Sequence, residues 1–255
     1  MGNAGLSVVS WNVNSLKVRL PLVLRFLDEY APDVMCLQET KLPAALVGHA
    51  EFSARGYHVR AGGARGYAGV ATLSKHPIGQ AIHGVADGTE HGDRRLLCQI
   101  DGLWIDNVYV PTRRAIGKSE FLDALRRDNA ARFDAERDSM LLCGDFNICF
   151  DARDLASLKM IAEAERFGER PEDLAWRHML AFGWHDCLRK HQPDAKLFTW
   201  FPMTPWAIKR NYGMRLDYVF ASPRMYERCS AVDHVMKARS WERPSDHLPV
   251  IAHFR

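Results

Sequence analysis

A set of polar residues suited to gripping cations and moving protons falls at the ends of apolar runs. Asn12 closes the run Leu6–Trp11, Glu39 follows Val34–Leu37, and Asp145 and Asn147 follow Met140–Cys143. Asp217 sits within Arg215-Leu216-Asp217-Tyr218, and Asp246 and His247 come just before Pro249–Phe254. At a strand end a side chain can leave the core while its backbone stays rigidly held. Should these ends converge, one cleft would collect carboxylates, amides and an imidazole. Hard oxygen donors of that kind select magnesium or manganese over zinc. Each residue alone has a plainer use. Asn or Asp after a strand is commonly a turn former, Glu39 could open a loop as a solvated charge, and Gly144-Asp145-Phe146-Asn147 could be an ordinary turn. Ser245-Asp246-His247 has the look of a nucleophile, but nothing supplies Ser245 with a base and an oxyanion hole. The ensemble carries the reading, not any one member.

The elements that must hold these residues can be read from periodicity. Leu6–Trp11 is short and β-branched, as a strand should be. Pro21 suits a first helical turn, and Leu20, Val23, Leu24 and Leu27 then follow on one helix face. Ala31-Pro32-Asp33 stops that helix and Val34–Leu37 forms a second buried strand, so this β-α-β start places both strands in one sheet. Tyr57–Arg60, Gly69–Ser74, Arg95–Ile100 and Trp104–Val110 are further strand-type runs separated by Gly-rich or polar turns. Ser119 to about Arg137 has the spacing of an amphipathic helix, Met140–Cys143 is a strand, and Asp151–Glu172 reads as an elaborated surface loop. Leu216–Ala221 and Pro249–Phe254 complete the set. The expectation is an α/β sandwich of two mixed β-sheets flanked by helices, in one domain spanning residues 1–255.

A chain with 47% hydrophobic and 25% charged residues can bury a large core, and disorder is not suggested. The net charge of +3 is a mild lean toward polyanionic partners. Six cysteines contain no CxxC pair and mostly lie in apolar runs, which implies reduced, buried thiols rather than a zinc site or a disulfide frame. No apolar stretch approaches the roughly 20 residues needed to cross a bilayer, and no secretory signal is visible. A soluble, cytoplasmic protein is expected.

Several segments resemble, in order along nearly the whole chain, the exonuclease III family of AP endonucleases within the endonuclease/exonuclease/phosphatase superfamily. They are Ser10-Trp11-Asn12-Val13-Asn14, Leu37-Gln38-Glu39-Thr40-Lys41, Gly66-Tyr67-Ala68-Gly69-Val70, Tyr109-Val110-Pro111, Gly144-Asp145-Phe146-Asn147-Ile148, Arg215-Leu216-Asp217-Tyr218 and Pro244-Ser245-Asp246-His247-Leu248-Pro249. The resemblance implies a four-layer α/β sandwich with the site at one end of the paired sheets. It makes Glu39 the principal metal ligand, supported by Asn12, with Asp246 near a second or alternate metal position. Asp145 is then the residue that activates water, Asn147 positions it, and His247 contacts the scissile phosphate while held by Asp217. Whether Asp145 or His247 takes the proton stays open. Tyr109 contacts the phosphate or eases departure of the leaving oxygen. The implied cofactor is Mg2+, with Mn2+ as substitute. The implied partner is double-stranded DNA with abasic or 3′-blocked ends, met by a monomer that needs no membrane.

Departures and substrate residues complete the expectation. Asn14 stands where some members carry Asp, Ser15 where Gly is common, and Thr112 where an amide often touches phosphate. Trp200 and Met214 resemble residues that wall a pocket for a flipped-out abasic sugar, although core packing is an equal reading for Trp200. Arg113, Lys209, Arg210 and Arg215 could hold phosphates, and the loop Ile161–Pro171 could tune the balance of activities. The lead reading is incision 5′ to an abasic site, with 3′-5′ exonuclease, 3′-phosphatase and 3′-phosphodiesterase activity alongside. The alternatives are an enzyme that chiefly trims 3′ ends, a superfamily phosphoesterase for inositol phosphates or phospholipid headgroups, and a non-catalytic DNA-binding relative.

Overall fold

The computed structural model describes residues 5–63, 66, 68–85, 92–112, 117–157, 181–204 and 206–255. Its strands are β1 (Leu6–Asn12), β2 (Val34–Gln38), β3 (His58–Gly62), β4 (Val70–Ser74), β5 (Ile78–His83), β6 (Arg95–Ile100), β7 (Leu103–Tyr109), β8 (Met140–Asp145), β9 (His185–Asp186), β10 (Asp217–Ala221), β11 (Cys229–His234) and β12 (Val250–Phe254). They form two six-stranded sheets, ordered β11-β12-β1-β2-β4-β3 and β5-β6-β7-β8-β10-β9. Each is mixed: β1 runs parallel to β2 and β7 parallel to β8, while the other pairs are antiparallel.

Three apolar cores separate four layers. Between the sheets lie Leu6, Val8, Val34, Cys36, Ile105, Leu141, Cys143 and Val219 among others. Outside the first sheet, helix α1 (Leu16–Tyr30) packs Leu22, Val23, Phe26 and Leu27 against Val9, Trp11, Met35 and Leu37. Outside the second sheet, helix α2 (Lys118–Arg132) packs Phe121, Leu122 and Leu125. The expected four-layer α/β sandwich is the observed one. No helix among the described residues is long and apolar enough to cross a membrane.

Strand periodicity explains how the core leads to a polar cleft. Side chains alternate between faces. Leu6, Val8 and then Ser10 and Asn12 share the inter-sheet face of β1; Leu141, Cys143 and then Asp145 share that of β8; Val219 and Asp217 share that of β10. Each strand is thus apolar inward until its site end, where the same face turns polar. A buried polar stitch lies just beneath that end. Gln38 Nε2 donates to Asn107 Oδ1 at 2.8 Å and to Ser10 Oγ at 3.2 Å. Asn107 Nδ2, from the opposite sheet, donates to the carbonyls of Ala71 at 2.9 Å and Leu37 at 3.2 Å.

Two sequence expectations need correction. The first helix begins at Leu16, so Pro21 lies inside it rather than in its first turn; buried Leu16 extends the apolar stripe one turn earlier. The strands β5, β9 and β11 were not anticipated, and the helix expected from Ser119 to Arg137 ends at Arg132. Of the expected loop Asp151–Glu172, residues 151–157 are described and contain the short 3-10 turn Ala152–Asp154. The segment Ile161–Pro171 lies outside the described residues.

Gly144 carries a direct structural demand. It opposes Val108 across the parallel β7–β8 pair at φ 154°, and a Cβ there would overlap the Val108 carbonyl. Gly144→Ala must therefore push the strands apart beside Asp145. A destabilisation of about 1–3 kcal/mol or more is expected in urea unfolding, together with reduced turnover. Unchanged stability and activity would show that the strands tolerate the methyl group.

Candidate active site

Strand ends from both sheets meet at one corner. Asn12, at the end of β1, donates through Nδ2 to Glu39 Oε1 at 2.9 Å and to Asp145 Oδ2 at 2.7 Å. Two carboxylates thus converge on one amide. Glu39 takes a left-handed backbone at φ 51° just after β2, which turns its side chain into the cleft. Its second oxygen pairs with Lys41 Nζ at 2.9 Å. The same ammonium donates to Asn14 Oδ1 at 2.6 Å, and Asn14 Nδ2 donates to Asp246 Oδ1 at 2.9 Å. Trp200 Nε1 holds the other Asp246 oxygen at 3.0 Å.

A second arm runs through the imidazole. His247 Nδ1 donates to Asp217 Oδ2 at 2.8 Å, and its Nε2 faces Asp145 Oδ2 at 3.8 Å. Thr199 Oγ1 accepts from the amides of Leu216 and Asp217, both at 3.0 Å, which fixes the start of β10. Asp145 Oδ1 accepts from the Asn147 amide at 2.9 Å. Asn147 itself is left-handed at φ 50°, its Nδ2 donates to the Val110 carbonyl at 2.9 Å, and its own carbonyl accepts from Lys118 Nζ at 2.9 Å.

Burial pushes the Asp145 carboxyl up to about 7, reinforced by the Asp217 charge and opposed by His247 and the Asn12 hydrogen bond. For His247, burial works to depress the imidazole, but Asp217 and Asp145 outweigh it and raise it to about 10. The imidazole is thus a cation at neutral pH, held between two carboxylates. Burial, with the Glu39 and Asp145 charges, also pushes the Tyr109 phenol well above its usual range. That phenol remains protonated and can donate a hydrogen bond.

Asp145, Asp217 and His247 offer donor atoms within 4.8 Å of one another, a spacing that a metal could use. Their bonding argues for a different role. One of the three is an imidazole nitrogen, which suits a hard divalent ion less well than carboxylate oxygens do, and Asp217 already accepts from it at 2.8 Å. The better cation donors are Glu39 and Asp145, which meet at Asn12 with the single ammonium of Lys41 against them. That oxygen-rich corner suits a hard divalent ion.

The remaining expected residues fall as follows. Trp200 and Met214 lie side by side, exchanging backbone hydrogen bonds at 2.8 and 2.9 Å, and both are half-buried. Trp200 therefore borders the site, with its indole anchored on Asp246. Arg113 lies outside the described residues. Lys209 and Arg210 are exposed. Arg215 cannot hold a phosphate: it is 2% exposed, donates to Asp154 at 2.8 Å and to Asp186 at 2.5 Å, and lies over the Tyr218 ring. Sequence reasoning missed the bridging roles of Asn14 and Lys41 and the support from Thr199 and Lys118. Lys41, two residues past Glu39, and Asn14, an amide two residues past Asn12, left visible signals.

A cleft of this construction defines a metal-assisted phosphoesterase. The sequence profile of the Endonuclease/Exonuclease/phosphatase family matches residues 9–247. Exodeoxyribonuclease III of Haemophilus influenzae is 28% identical, covering 98% of this chain and 100% of its own length. An AP endonuclease from Archaeoglobus fulgidus superimposes with a TM-score of 0.90 at 31% identity, covering 98% of this chain and 99% of that one. A 3′ phosphatase from Neisseria, solved with a product DNA hairpin, gives 0.89 at 29% identity, with 98% and 99% covered. The chain belongs to the Endonuclease/Exonuclease/phosphatase family, in its exonuclease III branch, and is a hydrolase of phosphodiester bonds. The family is metal-dependent, and the corner of Glu39, Asn12 and Asp145 fits that requirement.

Asp217→Asn keeps the shape of the site but removes the charge that stabilises the imidazolium. Turnover should fall by about 10²–10⁴-fold with KM nearly unchanged. Steady-state kinetics on a labelled duplex would check this, and a variant with wild-type turnover would remove Asp217 from the mechanism.

Proposed function

We propose that this chain is a magnesium-dependent DNA-repair phosphodiesterase that incises the strand 5′ to an abasic site, leaving a 3′-hydroxyl, and clears phosphates and other blocks from 3′ ends. One observation carries the reading: the Asp217–His247–Asp145 array opens beside the Glu39–Asn12 corner. A phosphodiester is anionic, so hydrolysis needs its unesterified oxygens neutralised and a nucleophile made at neutral pH. Glu39, with Asn12 beside it, would hold magnesium, which would supply the neutralising charge, and Asp246 is fixed nearby by Asn14 and Trp200. Asp145 accepts the proton of the attacking water, since Asn12 and the Asn147 amide orient both its oxygens. His247, already carrying its proton, donates to the phosphate from Nε2. The Tyr109 phenol donates from the neighbouring strand end. Trp200 and Met214 provide an apolar border that suits a bare deoxyribose better than a full nucleotide, and an extruded lesion enters such a pocket at lower unstacking cost. The chain acts as a monomer in this reading.

The test is a gel assay on one labelled duplex carrying an abasic site, a 3′-phosphate or an undamaged end, with a phosphoinositide as a separate substrate. Magnesium should support cutting at the abasic site, manganese should substitute, and a chelator should abolish it. Glu39→Ala should raise the magnesium concentration needed for half-maximal rate, and His247→Ala should lose about 10²–10⁴-fold in turnover. Hydrolysis of the phosphoinositide alone would move the protein to another branch of the family. Tight DNA binding without cutting in any divalent ion would make it a non-catalytic relative.

A further inference from the structure

The run Ser245-Asp246-His247 has the outline of a nucleophile in the sequence, and the reaction above leaves its serine unused. The structure rules out attack by that hydroxyl. Ser245 is 1% exposed, its Oγ donates to the Asn12 carbonyl at 2.7 Å, and the same oxygen accepts from the His247 amide at 3.2 Å. Its proton and a lone pair are both committed, in a place that substrate does not enter.

Strand pairing explains why a hydroxyl is wanted there. β1 pairs with β12 only as far as Ser10 opposite Val250, but with β2 as far as Asn12 opposite Gln38. The last two residues of β1 outrun their neighbour on one side, and buried backbone groups there need other partners. Residues 244–247 supply them. Ser245 takes the Asn12 carbonyl, Trp11 Nε1 donates to the His247 carbonyl at 3.2 Å, and Arg19 joins the carbonyls of Asn14 and Pro244 through Nη1 at 2.6 Å and Nη2 at 3.2 Å. Among the described residues, Ser245 is the one side chain that bonds the backbone of both Asn12 and His247.

We propose that Ser245 is a positioning residue, whose hydroxyl fixes the His247 imidazole against the Asn12–Glu39 corner by bridging the two backbones. The inference rests on the phosphodiesterase reading above, in which His247 donates to a phosphate held at that corner. Asp217 reaches His247 from the other sheet and sets the direction of its ring, whereas Ser245 sets its distance from β1. A misplacement of about 1 Å between groups that act together can cost on the order of 10²-fold in rate.

A positioning role leaves a mark that a merely structural one does not. Single-turnover cutting of a labelled abasic duplex would be measured for the wild type, Ser245→Ala, His247→Ala and the double variant, over a magnesium series. Ser245→Ala should slow cutting by about 10–100-fold, with KM and the magnesium concentration for half-maximal rate held within about twofold. In the His247→Ala background the same substitution should cost less than about twofold, because the group it positions is gone. If Ser245→Ala does not purify folded, Ser245→Cys, a weaker donor of similar shape, serves with the same readouts. A folded variant that cuts at the wild-type rate overturns the proposal. So does an equal loss in both backgrounds, which would make the hydroxyl a general support of the fold, and so does a raised magnesium requirement, which would place its effect on the Asn12 corner alone. A wild-type chain that cuts no phosphodiester would overturn the phosphodiesterase reading and this inference with it.

Discussion

The site depends on the two sheets holding one fixed offset. Asn12 and Glu39 belong to one sheet and Tyr109, Asp145 and Asp217 to the other, so a slide of one residue spacing would separate them. Apolar packing between the sheets does not by itself fix such a slide, because dispersion contacts are nearly non-directional. Gln38, Asn107 and Ser10 supply the direction. Their hydrogen bonds cross the inter-sheet core one position below the site and reach backbone carbonyls of both β2 and β4. Leaving the Gln38 and Asn107 amide donors unpaired is unfavourable, so the offset that pairs them is strongly preferred.

Above that stitch the cleft is wired as an alternation of donors and acceptors. Trp200, Asp246, Asn14, Lys41, Glu39, Asn12 and Asp145 form a continuous chain of hydrogen bonds and ion pairs. An amide at position 14 can donate a hydrogen bond to Asp246 while accepting one from Lys41; a carboxylate there could do only the second. The departure noted at Asn14 thus has a structural use. It leaves one ammonium to balance Glu39 and lets Asp246 be held by neutral donors alone.

Much of this is legible in the sequence, for a physical reason. Strands buried on both faces read as apolar runs, and a polar residue at the last inward position of such a run stands out, as Asn12 and Asp145 do. β5 and β11 did not stand out. β5 is mostly exposed beyond Ile78, β11 mixes Ser, Asp and His with apolar residues, and both are edge strands with one hydrogen-bonded neighbour. Arg215 was misread because a sequence shows a charge but not its partners, which here lie 61 and 29 residues away. Asn14 and Lys41 escaped for a related reason: left-handed backbone turns bring them to the cleft, and those turns occur at non-glycine residues.

The clamp on Arg215 ties the edge of the cleft to its imidazole. Met214 pairs with Trp200 at the edge of the site and Asp217 accepts from the imidazole, and the arginine between them is pinned by Asp154 and Asp186 from two other segments. Edge and imidazole arm are therefore parts of one stiff body. A frame held in this way resists reshaping, so any change in what the cleft accepts would have to arise through altered side chains and not through breathing of the frame.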